Sequence, residues 1–232
     1  MRKVIQAIKD AMEKLQVYID FKSPYAFIAK DPTFALEQQY GIEIDWYPLT
    51  LNIGSYLGTA KKNDDGKVVS SNRSSNQWLS VKYAYKDARR YANLRGLTLK
   101  GTQKIWDTSA AGGALMWAKQ AGREPLKHFI DITYERFWRR ELDLEDMSVL
   151  AALLNESDAN GVEFEDWYVA QGKSEQEAMQ FEFLKQGIYG VPTYRIAGQT
   201  YFGREHLPRV RWHLEGEHGA CPDIANDSTV AP

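Results

Sequence analysis

Two short segments at opposite ends of the 232-residue chain carry the residue types best suited to holding an anion. In the first, Ser23 stands before Pro24, and this pair is typical of a helix start with serine as its N-cap. A helix start offers free backbone N–H groups and the positive end of the helix dipole. There, a serine hydroxyl can donate a hydrogen bond to an incoming thiolate and lower its pKa. The simpler alternative is that Ser23 only caps the helix.

The second segment combines the run Gly190–Thr193 with Phe202–Glu205. A proline beside a strand marks an edge or a bend, which leaves the backbone of Val191 free to pair with an extended peptide. A cis bond before Pro192 would suit that role, and an ordinary trans proline is the alternative. At the start of the last helix, a backbone N–H can hold a ligand carboxylate, and Glu205 can accept a hydrogen bond from a ligand ammonium. Glutamate also favours a first helical turn for dipole reasons alone.

Hydrophobic periodicity and turn residues predict the elements that position these two segments. The first half has a strand at 16–21, a helix that runs from Ser23 to about Tyr40, and a strand at 42–47. We expect Asp31-Pro32 to kink this helix or split it in two. The second half has strands at 193–197 and 200–202, and a helix at 204–214.

Little strand signal lies between residues 49 and 187, and helical patterns dominate this stretch. The polar segment 61–76 is predicted to be a loop that forms a mobile flap. An amphipathic helix is expected at 3–15, and a loose tail at 215–232. Six helices are expected in the middle, at 77–95, 109–121, 124–140, 146–155, 162–171 and 174–187, with Gly172 separating the last two.

Composition excludes several classes of protein. A formal charge of −2 lacks the basic excess of a nucleic-acid-binding protein. The single cysteine, Cys221, permits no intrachain disulfide, and the four histidines show no metal-ligand spacing. No signal peptide or membrane-spanning stretch is evident, so we expect a cytoplasmic protein with no metal, no nucleic acid and no membrane partner.

The order of the elements and the motifs within them resemble a known family. Asp20-Phe21-x-Ser23-Pro24-Tyr25, Gly190-Val191-Pro192-Thr193 and Phe202-Gly203-x-Glu205 resemble 2-hydroxychromene-2-carboxylate isomerases and kappa-class glutathione S-transferases, in the DsbA-like branch of the thioredoxin superfamily. The resemblance implies an α/β thioredoxin-like fold, β-α-β then β-β-α, with a large all-helical domain inserted between its halves. The frame would comprise residues 16–48 and 188–214, and the insertion residues 49–187.

Carried over residue by residue, the resemblance implies glutathione as cofactor. Ser23 would hydrogen-bond the sulfur, and Val191, before a cis Pro192, would pair with the cysteinyl backbone. Further glutathione contacts would come from the late motif and the middle of the chain, at Gly203, Arg204, Glu205, Asn63 and Lys82. The family usually has aspartate at position 205, and Asp64-Asp65-Gly66 replaces a proline pair that commonly follows the asparagine.

The resemblance implies an enzyme that adds the glutathione thiolate reversibly to an unsaturated carbonyl compound, aromatic or otherwise, and that forms a homodimer. We expect an isomerase; a kappa-like transferase or peroxidase, or a thiol-peptide binding module without catalysis, are the alternatives. A disulfide oxidoreductase is excluded because residues 20–25 contain no cysteine. Four aromatic residues are candidates for lining the substrate cavity, with simple core packing as the alternative: Trp46, Tyr56, Trp78 and Trp106.

Overall fold

A computed structural model describes residues 14–63 and 65–223. The helix predicted at 3–15 lies outside the described residues except for Lys14 and Leu15, which precede the first strand without helical structure. The tail beyond residue 223 also lies outside them. In the described part of the tail, the backbone oxygens of Gly219 and Pro222 accept bonds from Trp212 and Arg209.

A four-stranded mixed sheet forms the frame. Its strands are β1 (Gln16–Ile19), β2 (Asp45–Pro48), β5 (Thr193–Ile196) and β6 (Gln199–Phe202), in the spatial order β2-β1-β5-β6. Strand β1 pairs with β2 in parallel and with β5 in antiparallel register, which places Val17 between Trp46 and Tyr194. The parallel pair needs a helical crossover, and the antiparallel pair β5–β6 needs only a hairpin. This is the sheet of a thioredoxin-like fold, as the sequence predicted.

The helices follow the predicted positions closely. Those around the sheet are α1 (Pro24–Tyr40) and α9 (Leu207–Leu214), the latter preceded by a short 3-10 turn at Arg204–His206. The helices of the insertion are α2 (Ile53–Leu57), α3 (Ser75–Leu94), α4 (Ser109–Ala121), α5 (Arg123–Arg139), α6 (Met147–Glu156), α7 (Phe164–Trp167) and α8 (Lys173–Lys185), with a 3-10 turn at Gly161–Glu163.

The prediction that 61–76 is a loop is wrong. This polar segment contains an antiparallel hairpin, β3 (Ala60–Lys62) and β4 (Val68–Ser71), and then the start of α3. Its strands are short and mostly exposed, so they lack the alternation of apolar and polar residues on which strand prediction depends. The inserted region is therefore largely helical, with one hairpin.

The helix is not split at Asp31-Pro32, one of the two expected outcomes, because α1 runs from Pro24 to Tyr40 with Pro32 inside it. Proline cannot donate to the carbonyl four residues earlier, which is that of Ile28. The guanidinium of Arg95 instead donates a hydrogen bond to this carbonyl. A side chain distant in sequence thus replaces the missing backbone donor.

The break predicted at Gly172 is absent too. Helix α7, a π-helical turn at Tyr168–Gly172, and α8 follow one another without interruption. A β-carbon at position 172 would lie 2.5 Å from the ring of Trp167. Glycine serves here to admit that ring and does not end a helix.

Aromatic side chains pack the insertion on the frame, at Phe183 of α8 against Tyr18 and Tyr47 and in a larger cluster on α5. Phe21 and Phe27, at the end of β1 and in α1, contact Phe129, Tyr134 and Trp138 of α5, with ring centroids 4.9–6.0 Å apart. All five side chains are buried. Among the described helices, none is both long enough and apolar enough to cross a membrane.

Candidate active site

Ser23 lies at the N-terminus of α1, as predicted. Its backbone is extended, and its Oγ accepts a hydrogen bond from the Ala26 N–H at 3.2 Å, which makes it the N-cap of the helix. The side chain of Ser23 is 5% exposed, between Lys22 and Pro24. Because the hydroxyl accepts this bond, its own proton stays available for donation to a further group.

A buried carboxylate fixes the turn between β1 and α1. Asp20 accepts hydrogen bonds from the Lys22 N–H, the Leu51 N–H and the Thr108 hydroxyl, at 3.1, 2.7 and 2.6 Å. The Tyr134 hydroxyl donates to the Asp20 backbone oxygen at 3.1 Å. Asp20 is thereby bonded to both the frame and the insertion, and the turn that carries Ser23 is rigid.

Lys22 is a buried cation next to Ser23. Its Nζ lies 3.6 Å from Asp20 Oδ2 and donates to the Trp106 backbone oxygen at 3.1 Å. The side chains of Lys22 and Asp20 are 6% and 1% exposed. A buried charge is tolerated when it is paired and hydrogen-bonded, and both conditions hold here.

An apolar cavity of about 100 Å³ opens beside this turn. Pro24 and Lys22 form part of its wall, and Trp106, Leu57 and Tyr85 form other parts. Of the aromatic residues suggested by the sequence, Trp106 lines this cavity and Trp78 a neighbouring one. Tyr56 is exposed, and Trp46 lies in the core against Phe34.

The late proline loop lies at the same end of the sheet. The Val191–Pro192 peptide is cis. Because β1 and β5 are antiparallel, with Tyr18 opposite Thr193, the residues that follow β1 lie beside those that precede β5. The Thr193 hydroxyl donates to the Gly190 oxygen at 2.6 Å, and the ring of Phe202 covers Gly190. The loop is held from both sides.

The third predicted segment is only partly available to a ligand. The Gly203 N–H donates to the Pro192 oxygen at 2.9 Å, so this N–H already has a partner. The exposed Glu205 carboxylate folds over Gly203, whose β-carbon position lies 2.4 Å from it. The guanidinium carbon of Arg204 lies 3.5 Å from the ring centroid of Tyr91 in α3.

Helix α3 joins the early and late segments. The Tyr25 hydroxyl, two residues after Ser23, donates to Asp87 Oδ2 at 3.2 Å. Burial raises the pKa of Tyr25 to about 12, the Asp87 carboxylate adds to the increase, and the charge of Arg204 opposes it. Tyr25 and Arg204 are therefore close enough to interact electrostatically, although 179 positions separate them in the sequence.

Neither Asn63 nor Lys82 lines the apolar cavity beside Pro24. The Asn63 side chain accepts from the Lys67 N–H at 2.8 Å and closes the β3–β4 turn. Lys82 lies on the exposed side of α3 and lines a second cavity, of about 360 Å³. Sequence reasoning missed Asp20 and Lys22 as parts of the site, although both stand beside Ser23. Of the five cations that line the second cavity, it named only Lys82, because the five come from four separate segments with no common motif.

Comparison with known proteins supports the fold. The family model of the DSBA-like thioredoxin domain matches residues 14–215. The chain belongs to that family. The resemblance drawn from the sequence and the predicted fold are thereby confirmed.

Individual members of the DSBA-like family are distant in sequence. A 2-hydroxychromene-2-carboxylate isomerase from Pseudomonas sp. (strain C18) is 22% identical over 209 residues, covering 88% of this chain and 90% of that protein. A solved 2-hydroxychromene-2-carboxylate isomerase superposes with a TM-score of 0.66 at 16% identity, over 94% of this chain and 99% of the other. A probable DsbA oxidoreductase from Streptomyces coelicolor gives a TM-score of 0.65 at 16% identity, over 91% and 93%. The similar proteins are thus named as an isomerase and an oxidoreductase of one fold.

Proposed function

We propose that this protein is a glutathione-dependent isomerase that acts on an unsaturated carbonyl compound. The observation that carries the proposal is Ser23 at the start of α1, beside an apolar cavity and at the end of the sheet that holds the cis Val191–Pro192 bond. The name of the Pseudomonas relative supports the isomerase reaction. The absence of cysteine from residues 20–25 argues against disulfide exchange.

Ser23 and the helix end would stabilise the glutathione thiolate. The Ser23 hydroxyl donates its proton in a charge-assisted bond to the sulfur, since its lone pair already serves Ala26. Pro24 has no N–H, so Tyr25 supplies the next first-turn donor for the anion. Each unit of pKa decrease corresponds to about 1.4 kcal/mol, and these groups together would bring a thiol from about 8.5 to near neutrality.

The rest of the tripeptide would lie along the late segments. The backbone of Val191 would pair with the cysteinyl unit as an added strand, and Glu205 would accept a hydrogen bond from the γ-glutamyl ammonium. Arg204, held on Tyr91, supplies a cation at the same end. We leave Asn63 and the Gly203 N–H out of this site, because both already have partners within the protein.

In the proposed reaction, the thiolate adds to the alkene carbon β to the carbonyl: a C–S bond forms, the C=C π bond breaks, and its electron pair moves onto the carbonyl oxygen as an enolate. The adduct rotates about the former double bond, and the enolate electron pair then re-forms C=C as the C–S bond breaks and releases the thiolate. Glutathione is regenerated and not consumed. The apolar cavity excludes water from these reaction steps and holds the reactants together. This positioning raises the reaction rate by several orders of magnitude.

The test is an ultraviolet titration of bound glutathione, in which the thiolate is detected by difference absorbance. We expect Ser23→Ala to raise the pKa of the bound thiol by about 1 unit or more and to change the affinity less. Ser74→Ala is the matched control, because Ser74 also caps a helix through its side chain. Each substitution costs about 1 kcal/mol in capping. An unchanged thiol pKa in Ser23→Ala would remove Ser23 from the mechanism.

Turnover assays separate the proposal from its alternatives. With a panel of unsaturated carbonyl compounds, an isomerase leaves the concentration of glutathione constant. A falling concentration would indicate a kappa-like transferase or peroxidase. Calorimetric binding of glutathione with no turnover of any compound would indicate a binding module.

A further inference from the structure

The second cavity, beneath the β3–β4 hairpin, concentrates positive charge. It has a volume of about 360 Å³ and lies between the hairpin, α3 and the segment 99–105. Five cationic side chains from four separate segments line it: Lys62, Arg73, Lys82, Arg89 and Lys104. Within the described part of the chain, no aspartate or glutamate lines this cavity.

Several of these cations converge on one point. A β-carbon at Gly101 would lie 3.4 Å from Arg89 Nη2 and 3.9 Å from Lys62 Nζ. Arg140 approaches the same residue and donates to the Gly101 oxygen at 2.7 Å. The absence of a side chain at position 101 lets three positive groups meet around one peptide.

Most of this charge is not neutralised by the protein. Lys104 pairs with Glu145. Over residues 14–63 and 65–223, no ion pair with a carboxylate is formed by Lys62, Arg73, Lys82 or Arg89. Burial lowers the pKa of Lys62, and the charges of Arg140, Arg89 and Arg73 lower it further. Like charges held together in this way favour an anion that compensates them.

The cationic cavity adjoins the apolar cavity beside Pro24. The two share walls formed by Arg73, Val81, Tyr85, Thr102 and Ile105, together with Lys104. A molecule that extends across these shared residues would place its unsaturated end beside Lys22 and Pro24, next to Ser23, and its charged end under the hairpin. A single carboxylate would compensate only a fraction of the charge, whereas arginine side chains suit phosphate or paired carboxylates well.

We propose that the substrate carries a doubly charged anionic end group, a phosphate monoester or a pair of carboxylates, which binds between Lys62, Arg73 and Arg89. This inference rests on the proposed function for the position of the reacting end. Binding of the charged end is tested without glutathione and without turnover, so the two proposals can fail separately.

The probes are benzoate, phthalate, phenyl phosphate and inorganic phosphate, titrated into the protein by calorimetry at constant ionic strength. We expect phthalate or phenyl phosphate to bind at least tenfold more tightly than benzoate, and the tighter of the two identifies the end group. Inorganic phosphate should bind more weakly than phenyl phosphate, because it leaves the apolar cavity empty. Equal affinity for benzoate and the dianions would overturn the proposal, and so would inorganic phosphate binding as tightly as phenyl phosphate.

Lys62→Gln should weaken binding of the preferred dianion at least fivefold and leave benzoate nearly unchanged. Lys61→Gln is the matched control, because Lys61 precedes it in β3, does not line the cavity and is exposed. Lys62→Arg should retain binding. Equal losses in Lys61→Gln and Lys62→Gln would contradict a specific site. The comparison of probes uses the unmodified chain and stands even if a variant fails to fold.

Saturation with S-methylglutathione, which carries no thiol, provides the last measurement. The preferred dianion should bind with little change in affinity when this analogue is present, because the two ligands occupy different parts of the site. If the analogue displaces the dianion competitively, the cationic cavity belongs to the glycine carboxylate of the tripeptide, and the substrate assignment is wrong.

Discussion

At the scale of single residues, Tyr25 shows how one side chain serves both the fold and the site. Its hydroxyl bonds Asp87 of α3, which also pairs with Arg90 at 3.0 Å. This bond attaches the first turn of α1 to the helix that holds Arg204. The position of Ser23 relative to the late segment therefore depends on a phenol that remains protonated.

The raised pKa of Tyr25 predicts a specific dependence of stability on pH. Its folded value, about 12, exceeds the unfolded value of about 10, so its contribution is complete below about pH 10 and is lost as the pH rises toward 12. We expect Tyr25→Phe to reduce the free energy of unfolding by about 1 kcal/mol at neutral pH. Urea denaturation should show the difference from the unmodified chain shrinking above about pH 10.

The control for Tyr25→Phe is Tyr189→Phe, which alters an exposed tyrosine of the loop before Gly190. It should leave the free energy of unfolding nearly unchanged at every pH. The difference in unfolding free energy between Tyr25→Phe and the unmodified chain could instead stay constant up to about pH 12. That result would show that ionisation of the Tyr25 hydroxyl does not affect stability.

At the scale of elements, α1 contains an internal proline without a break. The Ile28 carbonyl, which Pro32 cannot serve, accepts from Arg95, and Arg95 also lies 3.7 Å from Asp31. The next hydroxyl along the helix, that of Thr33, donates to the Ala29 oxygen at 2.7 Å. Side chains thus satisfy the carbonyls around the proline, and the helix that presents Ser23 stays intact.

A double-mutant cycle tests this compensation. Arg95→Leu should cost about 1–3 kcal/mol in unfolding free energy, because it leaves the Ile28 carbonyl without its donor. In a Pro32→Ala background the new backbone N–H serves that carbonyl, so the same substitution should cost about 1 kcal/mol less. Denaturant unfolding of the four proteins gives the coupling energy.

Arg90→Leu serves as the control on the same helix, since Arg90 is half exposed and pairs with Asp87 instead. Its cost should be the same with proline or alanine at position 32. An equal cost of Arg95→Leu in both backgrounds would mean that the guanidinium does not replace the missing N–H.

At the scale of the whole molecule, frame and insertion share one core. Lys30 of α1 has a side chain 3% exposed and bonds Asp131 of α5 at 2.6 Å. Burial opposes the charge of Lys30, but its bonds to Asp131 and Asp31 outweigh this, and its pKa is raised. The rings of Phe21 and Phe27 pack on α5. If either the frame or the insertion unfolded alone, buried apolar surface of the other would be exposed to water, which is unfavourable.

We therefore expect frame and insertion to unfold in one transition. Far-ultraviolet circular dichroism, which follows the helices, and tryptophan fluorescence should give the same midpoint, and the calorimetric and van't Hoff enthalpies should agree. Lys30→Met should lower both midpoints equally, because Lys30 joins the two parts. Two separated transitions, or a variant that shifts only one of them, would contradict a shared core.

The sequence alone was sufficient for the frame and for the position of Ser23 at a helix start. Strands, helices and the N-cap at Ser23 depend on neighbours within a few residues. Hydrophobic periodicity and cap residues reflect these local preferences, so they predict such elements from the sequence. The strands, helices and cap concern local backbone preferences, which the chain carries in any context. The cis bond at Pro192 and the place of its loop beside the start of α1 came from the resemblance to a known family, because the residues alone left a trans proline open.

Tertiary contacts decided what local preference could not. Arg95, distant in sequence, donates to the carbonyl that Pro32 leaves without a backbone donor, and α1 continues through the proline. The ring of Trp167 lies so close to the backbone at position 172 that only glycine fits there. The exposed strands β3 and β4 pair with each other although neither has a buried face. In the turn between them, the side chain of Asn63 accepts a hydrogen bond from the Lys67 N–H. The cationic cavity exists because four segments converge on Gly101. No spacing along the chain can record a convergence that only the folded backbone produces.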